Sequence, residues 1–144
     1  MTSYLLDVNV LIALIDPTHV RHDQAHVWFA TRGKQSWATC PLTENGVLRI
    51  VGHSRYTNSP GTPAAVAELL GVLRSLGGHQ FWRDDISLFD AQLIDPSRLL
   101  ESSQVTDSYL LALAVAHCGE LATFNRLLVA DAVVNGSKAL HLIA

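Results

Sequence analysis

The chain of 144 residues contains only two cysteines, Cys40 and Cys118. Two thiols cannot build a disulfide framework, so a reducing, cytoplasmic location is expected. Charge is sparse as well: 16% of residues are charged and the net charge is −3. That excludes a supercharged chain, and there is no overall basic field to draw in nucleic acid, so any such contact must be local. Lysine is almost missing, with Lys34 and Lys138 standing beside eight arginines. Arginine's planar fork suits bidentate phosphate contacts without requiring them. No apolar run reaches the ~18 uncharged residues that a membrane span needs. The stretch from Tyr4 to Ile15 has no basic leader and is interrupted by Asp7 and Asn9, so no targeting segment is expected. Internal repeats, low-complexity tracts and glycine-rich phosphate loops are also missing.

Apolar residues are abundant, at 49% of the chain. That composition and length suit one domain over residues 1–144, burying roughly 68–70% of its unfolded surface. Short apolar runs alternate with helical patterns. Tyr4–Leu6 reads as a buried strand, and Val8–Ile15 as a helix stopped by Asp16-Pro17. Residues 19–31 form an amphipathic helix, Ser36–Thr39 a strand, and a helix opens at Pro41 and runs to about Gly52. Residues 53–63 are the one long loop, followed by a helix over 63–76 and a strand over His79–Trp82. A short helix over Pro96–Ser102 precedes a long one over Thr106–Cys118. The chain closes with a strand at Leu121–Phe124, a short helix at Arg126–Ala130 and a strand at Ala139–Ile143. This alternation predicts an α/β fold, a three-layer α/β/α sandwich on a mostly parallel sheet.

Four polar residues fall at strand–helix junctions. Asp7 follows the first strand and Asn125 follows Leu121–Phe124. Ligands of parallel α/β sheets bind beyond the carboxyl ends of strands, so the two meet in one crevice if their strands are neighbours. Asp107 opens the long helix, with Thr106 as its expected N-cap, and the helix dipole favours an ionised acid there. Glu44 lies in the first turns of the Pro41 helix. Taken singly, each is as well explained as a turn residue, a helix-start acid or a surface acid. Taken together, like charges converging on a crevice call for a cation, and an all-oxygen ligand set selects a hard one, Mg²⁺ or Mn²⁺.

The segments Leu-Leu-Asp7-Val-Asn9-Val, Thr-Glu44-Asn-Gly, Thr-Asp107-Ser-Tyr and Thr-Phe-Asn125-Arg resemble, in order and spacing, the four motifs of PIN-domain nucleases. The VapC-type toxins of bacterial toxin–antitoxin pairs are the nearest variety, and the likeness covers essentially the whole chain. The resemblance implies a PIN-like fold, a divalent metal, endonucleolytic cleavage of RNA, a cognate antitoxin and a homodimer. Asp7, Glu44 and Asp107 match the family's metal-binding acids. Asn9 matches a small polar residue expected to cap the next helix and orient Asp7. Asn125 departs from the pattern, since the family has a fourth acid there; this bears on a second metal and on full activity, not on the fold. Such ligands imply in-line attack by activated water, leaving 5′-phosphate and 3′-hydroxyl ends without help from the RNA 2′-hydroxyl.

Other residues carry two readings each. His19, His22 and His26 share a helical face and could bind a transition metal, but no further ligand lies nearby, which favours a structural role. Arg49 and Arg126, with Arg21 and Arg55, could touch RNA phosphates or be solvated surface residues, and Thr106 could support the site. Trp28, Trp37 and Trp82 could stack bases, although their apolar neighbours favour the core. Two rival functions stand beside the nuclease. One is a catalytically impaired PIN-like module that only binds antitoxin, suggested by Asn125. The other is a phosphatase of the haloacid dehalogenase type, faintly echoed by Asp7-Val-Asn9 but lacking the second acid and a well-placed lysine.

Overall fold

A computed structural model describes residues 1–144. Five short strands, β1 (Tyr4–Leu6), β2 (Trp37–Thr39), β3 (His79–Phe81), β4 (Glu120–Thr123) and β5 (Leu140–Leu142), form one sheet. All pairings are parallel, in the order β3-β2-β1-β4-β5. The helices are α1 (Val8–Ile15), α2 (His22–Thr31), α3 (Pro41–Val51), α4 (Pro63–Arg74), α5 (Gln104–Ala116) and α6 (Gly136–Ala139).

The inner strands β1, β2 and β4 are mostly apolar and buried because both sheet faces are covered there, while the edge strands β3 and β5 are partly exposed and carry His79, Gln80 and His141. Successive side chains point to opposite faces, and the two core clusters sort accordingly. Leu6, Trp37 and Ala122 pack with residues of α1–α4, while Leu5, Ala38 and Leu121 pack with α5. The result is the expected α/β/α sandwich. From β1 the chain runs outward to β2 and β3, then returns to β4 on the other side of β1. The topological switch point, where a crevice opens at the carboxyl ends, therefore lies between β1 and β4.

Several boundaries differ from those predicted. Helix α2 begins at His22, because residues 16–21 are consumed by turns around Asp16 and His19. Helix α5 begins at Gln104, so Thr106 lies inside its first turn and is not the N-cap. The buried Gln104 amide oxygen accepts the N–H groups of Leu100 and Glu101, and this fixes the earlier start. Residues 96–102 yield only a 3-10 turn at Pro96–Arg98. No helix forms over 126–130: the Asn125 side-chain oxygen accepts the Leu127 N–H, a local turn that competes with a helix. A four-residue α6 takes Ala139 from the last predicted strand. Residues 82–93 form a second long irregular segment, which no turn or loop pattern in the sequence predicts. It is held by buried Trp82, whose ring stacks on His117, and by the Tyr109 hydroxyl donating to Asp84.

The histidines of α2 resolve to a structural role. The His22 Nδ1 and His26 Nε2 atoms lie 2.7 and 2.8 Å from the carbonyls of Ala13 and Leu14. Those carbonyls belong to the last turn of α1 and have no partner within the helix. All three tryptophans are buried, so they serve the core and not base stacking.

Candidate active site at the carboxyl ends of β1 and β4

Register places the site. Leu6 pairs with Ala122, so the next residues, Asp7 and Thr123, stand side by side at the mouth of the switch-point crevice. Asp7 is only 8% exposed. One of its oxygens accepts the Val8 N–H at 2.8 Å, which makes Asp7 the N-cap of α1, and the other accepts the Thr123 hydroxyl at 2.7 Å. Thr123 is the hub of the site. Its oxygen donates to Asp7 and accepts from the Asn9 amide at 3.2 Å and the Asn125 N–H at 3.0 Å, so all its bonding capacity is used. Asn9 therefore does not cap α1. It ties the first turn of α1 to β4, its own oxygen accepting the Phe124 N–H at 3.3 Å, and it orients Asp7 through Thr123.

The sequence does not mark Thr123 as a site residue, because a threonine in a buried strand reads as an ordinary β-former. The available signal was its position one residue past the Leu6–Ala122 pairing, opposite an acid.

Asp107 lies in the first turn of α5, the helix that packs on this face of the sheet. Burial pushes its pKa up, and the neighbouring Asp7 charge pushes it further in the same direction. Asp7 is also raised: burial outweighs the opposing hydrogen bonds from Thr123 and Val8. Two desolvated, mutually repelling carboxylates form a donor set that a hard cation would stabilise, so the pair fits a divalent ion.

Glu44 is not brought to that pair. No group of three or more His, Cys, Asp or Glu side chains is placed to hold a metal ion. A carboxylate oxygen of Glu44 accepts the Thr39 hydroxyl at 2.7 Å and pairs with the Arg74 Nε at 3.3 Å. The sheet pleat explains the separation. Thr39 points to the same face as Trp37, toward α1–α4, whereas Asp7 and Thr123 have the parity of Leu5 and Leu121, toward α5. The His79 Nε2 atom lies 2.7 Å from the same Thr39 oxygen. Because the single hydroxyl proton goes to Glu44, His79 must carry its own proton on Nε2. Burial and then the Arg74 charge hold the His79 pKa down, in keeping with a neutral ring.

Asn125 sits beyond β4, its N–H on Thr123 and its side-chain oxygen on Leu127. Arg126 beside it is exposed, as is Thr106 at the start of α5. Arg49 is exposed on α3, about 140° around the helix from Glu44, and so does not share its direction. The Arg21 guanidinium lies 5.0 Å from the centre of the Phe124 ring, just past the end of β4. Arg55 is exposed in the 53–63 loop, its N–H donating to His53 Nδ1 at 3.0 Å.

Comparison with known proteins now decides the family. No protein-family model matches the chain. Ribonuclease VapC44 of Mycobacterium tuberculosis is 43% identical over 134 residues, covering 93% of this chain and 94% of that protein. The chain belongs to the VapC ribonuclease family. Ribonuclease VapC39 of the same organism is 41% identical over 128 residues, covering 89% of this chain and 92% of that protein. Among solved structures, VapBC2 of Rickettsia felis, bound to a DNA fragment from its promoter, superposes with a TM-score of 0.60 at 13% identity. It covers 97% of this chain and 96% of that one. VapC20 of Mycobacterium tuberculosis, described as a sarcin-ricin loop cleaving toxin, has a TM-score of 0.60 at 10% identity, covering 84% and 87%. At such identities the two structures speak for the VapC fold alone. No helix of this VapC protein is long and apolar enough to cross a membrane.

Proposed function

We propose that this VapC protein is a Mg²⁺-dependent endoribonuclease, with Mn²⁺ as a substitute ion, acting as the toxin of a toxin–antitoxin pair. The observation that carries the reading is buried Asp7 beside half-buried Asp107 at the carboxyl ends of β1 and β4, with both pKa values raised. The family supports RNA as substrate and a VapB-type antitoxin as partner; a homodimer is the expected assembly.

Asp7 and Asp107 would hold the cation, with Glu44 completing the set once freed from Arg74. The ion, when bound, would draw in a scissile phosphate and make water a better nucleophile. The chain's own contribution is preorganisation. Thr123 and the Val8 N–H occupy one lone pair on each Asp7 oxygen, leaving a second on each for a ligand. Asn9 and Thr123 lock α1 to β4, so Asp7 cannot swing away. The α5 N-terminus faces developing negative charge with its partial positive charge. Arg21 and Arg126 are the cations best placed beside the crevice for phosphate, as local contacts in a chain of net charge −3.

Asn125 favours one ion in the absence of RNA. Its carboxamide contributes no charge, and its oxygen is already engaged by Leu127. The same observation motivates the second reading, an impaired module that binds antitoxin but does not cleave.

Structured RNA incubated with purified protein and Mg²⁺ separates the two. Cleavage abolished by EDTA and by Asp7→Asn, with 5′-phosphate and 3′-hydroxyl ends, supports the nuclease. Cleavage that persists in chelator, or 2′,3′-cyclic phosphate ends, refutes it. No cleavage under any metal, with antitoxin binding intact, establishes the module.

A further inference from the structure

We propose that Arg74 is a positioning residue that holds Glu44 away from the Asp7–Asp107 pair, so that the third acid is withheld from the cation site. The inference rests on the metal-dependent reading above and adds a device internal to this chain.

Glu44 is held on the far side of the pleat from Asp7 by two contacts: Arg74 Nε at 3.3 Å and the Thr39 hydroxyl at 2.7 Å. Arg74 closes α4 and is fixed from a second side, its guanidinium 5.8 Å from the centre of the Phe81 ring on β3. The paired carboxylate and guanidinium line a cleft of about 110 Å³ between α3 and α4, together with Leu48, Leu70 and Gly71. Glu44 nevertheless stands in the first turn of α3, at the same end of the sheet as Asp7. Gly46, just beyond it, allows α3 to lie against α1, because a Cβ there would come within 2.9 Å of the Val8 side chain. Glu44 thus belongs to a helix that packs on α1, the helix Asp7 caps, and its carboxylate is held by Thr39 and Arg74.

The two holding contacts are unequal. The Thr39 bond is short and within the core, while the Arg74 side chain is 42% exposed against 17% for Glu44. A half-exposed pair of this kind is weak enough to be exchanged for a divalent ion but strong enough to compete with it. Removing the guanidinium should therefore tighten cation binding about three- to fivefold.

Calorimetric titration of Mg²⁺ into the wild-type protein, R74Q, E44Q and the double variant R74Q/E44Q tests this without any RNA. The expected result is about three- to fivefold tighter binding for R74Q, and no effect of R74Q once E44Q is present. The E44Q background isolates the general effect of deleting a nearby positive charge, which would persist there, from an effect that acts through Glu44. T39V, which deletes the other contact, should also tighten binding and serves as the independent variant if R74Q fails to fold. Unchanged or weaker binding in both R74Q and T39V overturns the proposal, as does an R74Q gain that survives in the E44Q background. If Mg²⁺ binds the wild type and is lost in D7N while R74Q is neutral, the positioning role fails and the nuclease reading stands. If the wild type binds no Mg²⁺, both fail.

Discussion

Replacing Thr123 by valine removes one hydroxyl from the centre of the site at constant shape. The hydroxyl is fully buried and serves three groups. Its bond to Asp7 is charge-assisted, and such bonds contribute about 1.5–3 kcal/mol. The Asn9 amide and the Asn125 N–H lose an acceptor, but both residues reach solvent in part, so water recovers some of that loss. The expected destabilisation is about 2–4 kcal/mol, or roughly 6–12 °C at about 3 °C per kcal/mol for a domain of this size. The effect must also depend on pH. Thr123 stabilises ionised Asp7 and opposes the rise that burial causes, so Thr123→Val lifts the Asp7 pKa further. The penalty is therefore largest well above that pKa and shrinks as pH falls through it, because protonated Asp7 no longer depends on the donor. Thermal unfolding of both proteins without metal, from pH 7.5 down to the carboxylate range, measures the difference. A wild-type melting temperature at pH 7.5, or a penalty that does not change with pH, would refute the hub role of Thr123.

Three further outcomes follow from the same geometry. Asp107→Asn should abolish RNA cleavage while leaving the metal-free melting temperature unchanged or higher, since the raised pKa values of Asp107 and Asp7 mean that metal-free stability is lost as pH rises through them; a marked fall in melting temperature would make Asp107 structural. Asn125→Asp keeps the turn to Leu127 and adds a charge beside Thr123, so calorimetry should show Mg²⁺ bound on the order of 5–50-fold more tightly, and equal affinity would place residue 125 outside the ligand shell. Asp16 is buried, which would raise its pKa, yet donors from Tyr56, Asn58 and Thr18 outweigh burial and lower it to about 2. Its stabilising effect is present above the ordinary aspartate range and lost as pH falls toward that value, so Asp16→Asn should destabilise at pH 6 by about 1–2 kcal/mol and have little effect near pH 2 in denaturant melts.

The layer architecture was legible because apolar strands alternate with helices, and the switch point followed once β1 and β4 proved to be neighbours. Asp7, Asp107 and Asn125 were legible as site candidates for a related reason. Asp7 and Asn125 follow the neighbouring strands β1 and β4 and Asp107 lies in the first turn of α5, the helix that leads into β4, so all three fall at the carboxyl end of the sheet. Sequence placed the element boundaries less well where side chains bond to nearby backbone. Gln104 starts α5 early, and Asn125 forms a turn where the pattern Arg126–Ala130 suggested a helix.

What junction logic could not supply is the direction of a side chain, and here two threonines decide the outcome. Thr39 and Thr123 both end strands at the same edge of the site. Register gives them opposite parity: Thr123 shares the α5 face with Asp7, and Thr39 shares the α1–α4 face with Trp37. Each hydroxyl takes the nearest carboxylate on its own side, so Thr123 holds Asp7 in the crevice while Thr39, with Arg74, holds Glu44 out of it. The three acids are adjacent in motif order but belong to two faces of one sheet. Exchanging a carboxylate between those faces would change the number of ligands without changing the fold, so on the proposed metal-dependent reading the holding contacts on the Glu44 side are where metal affinity would be set.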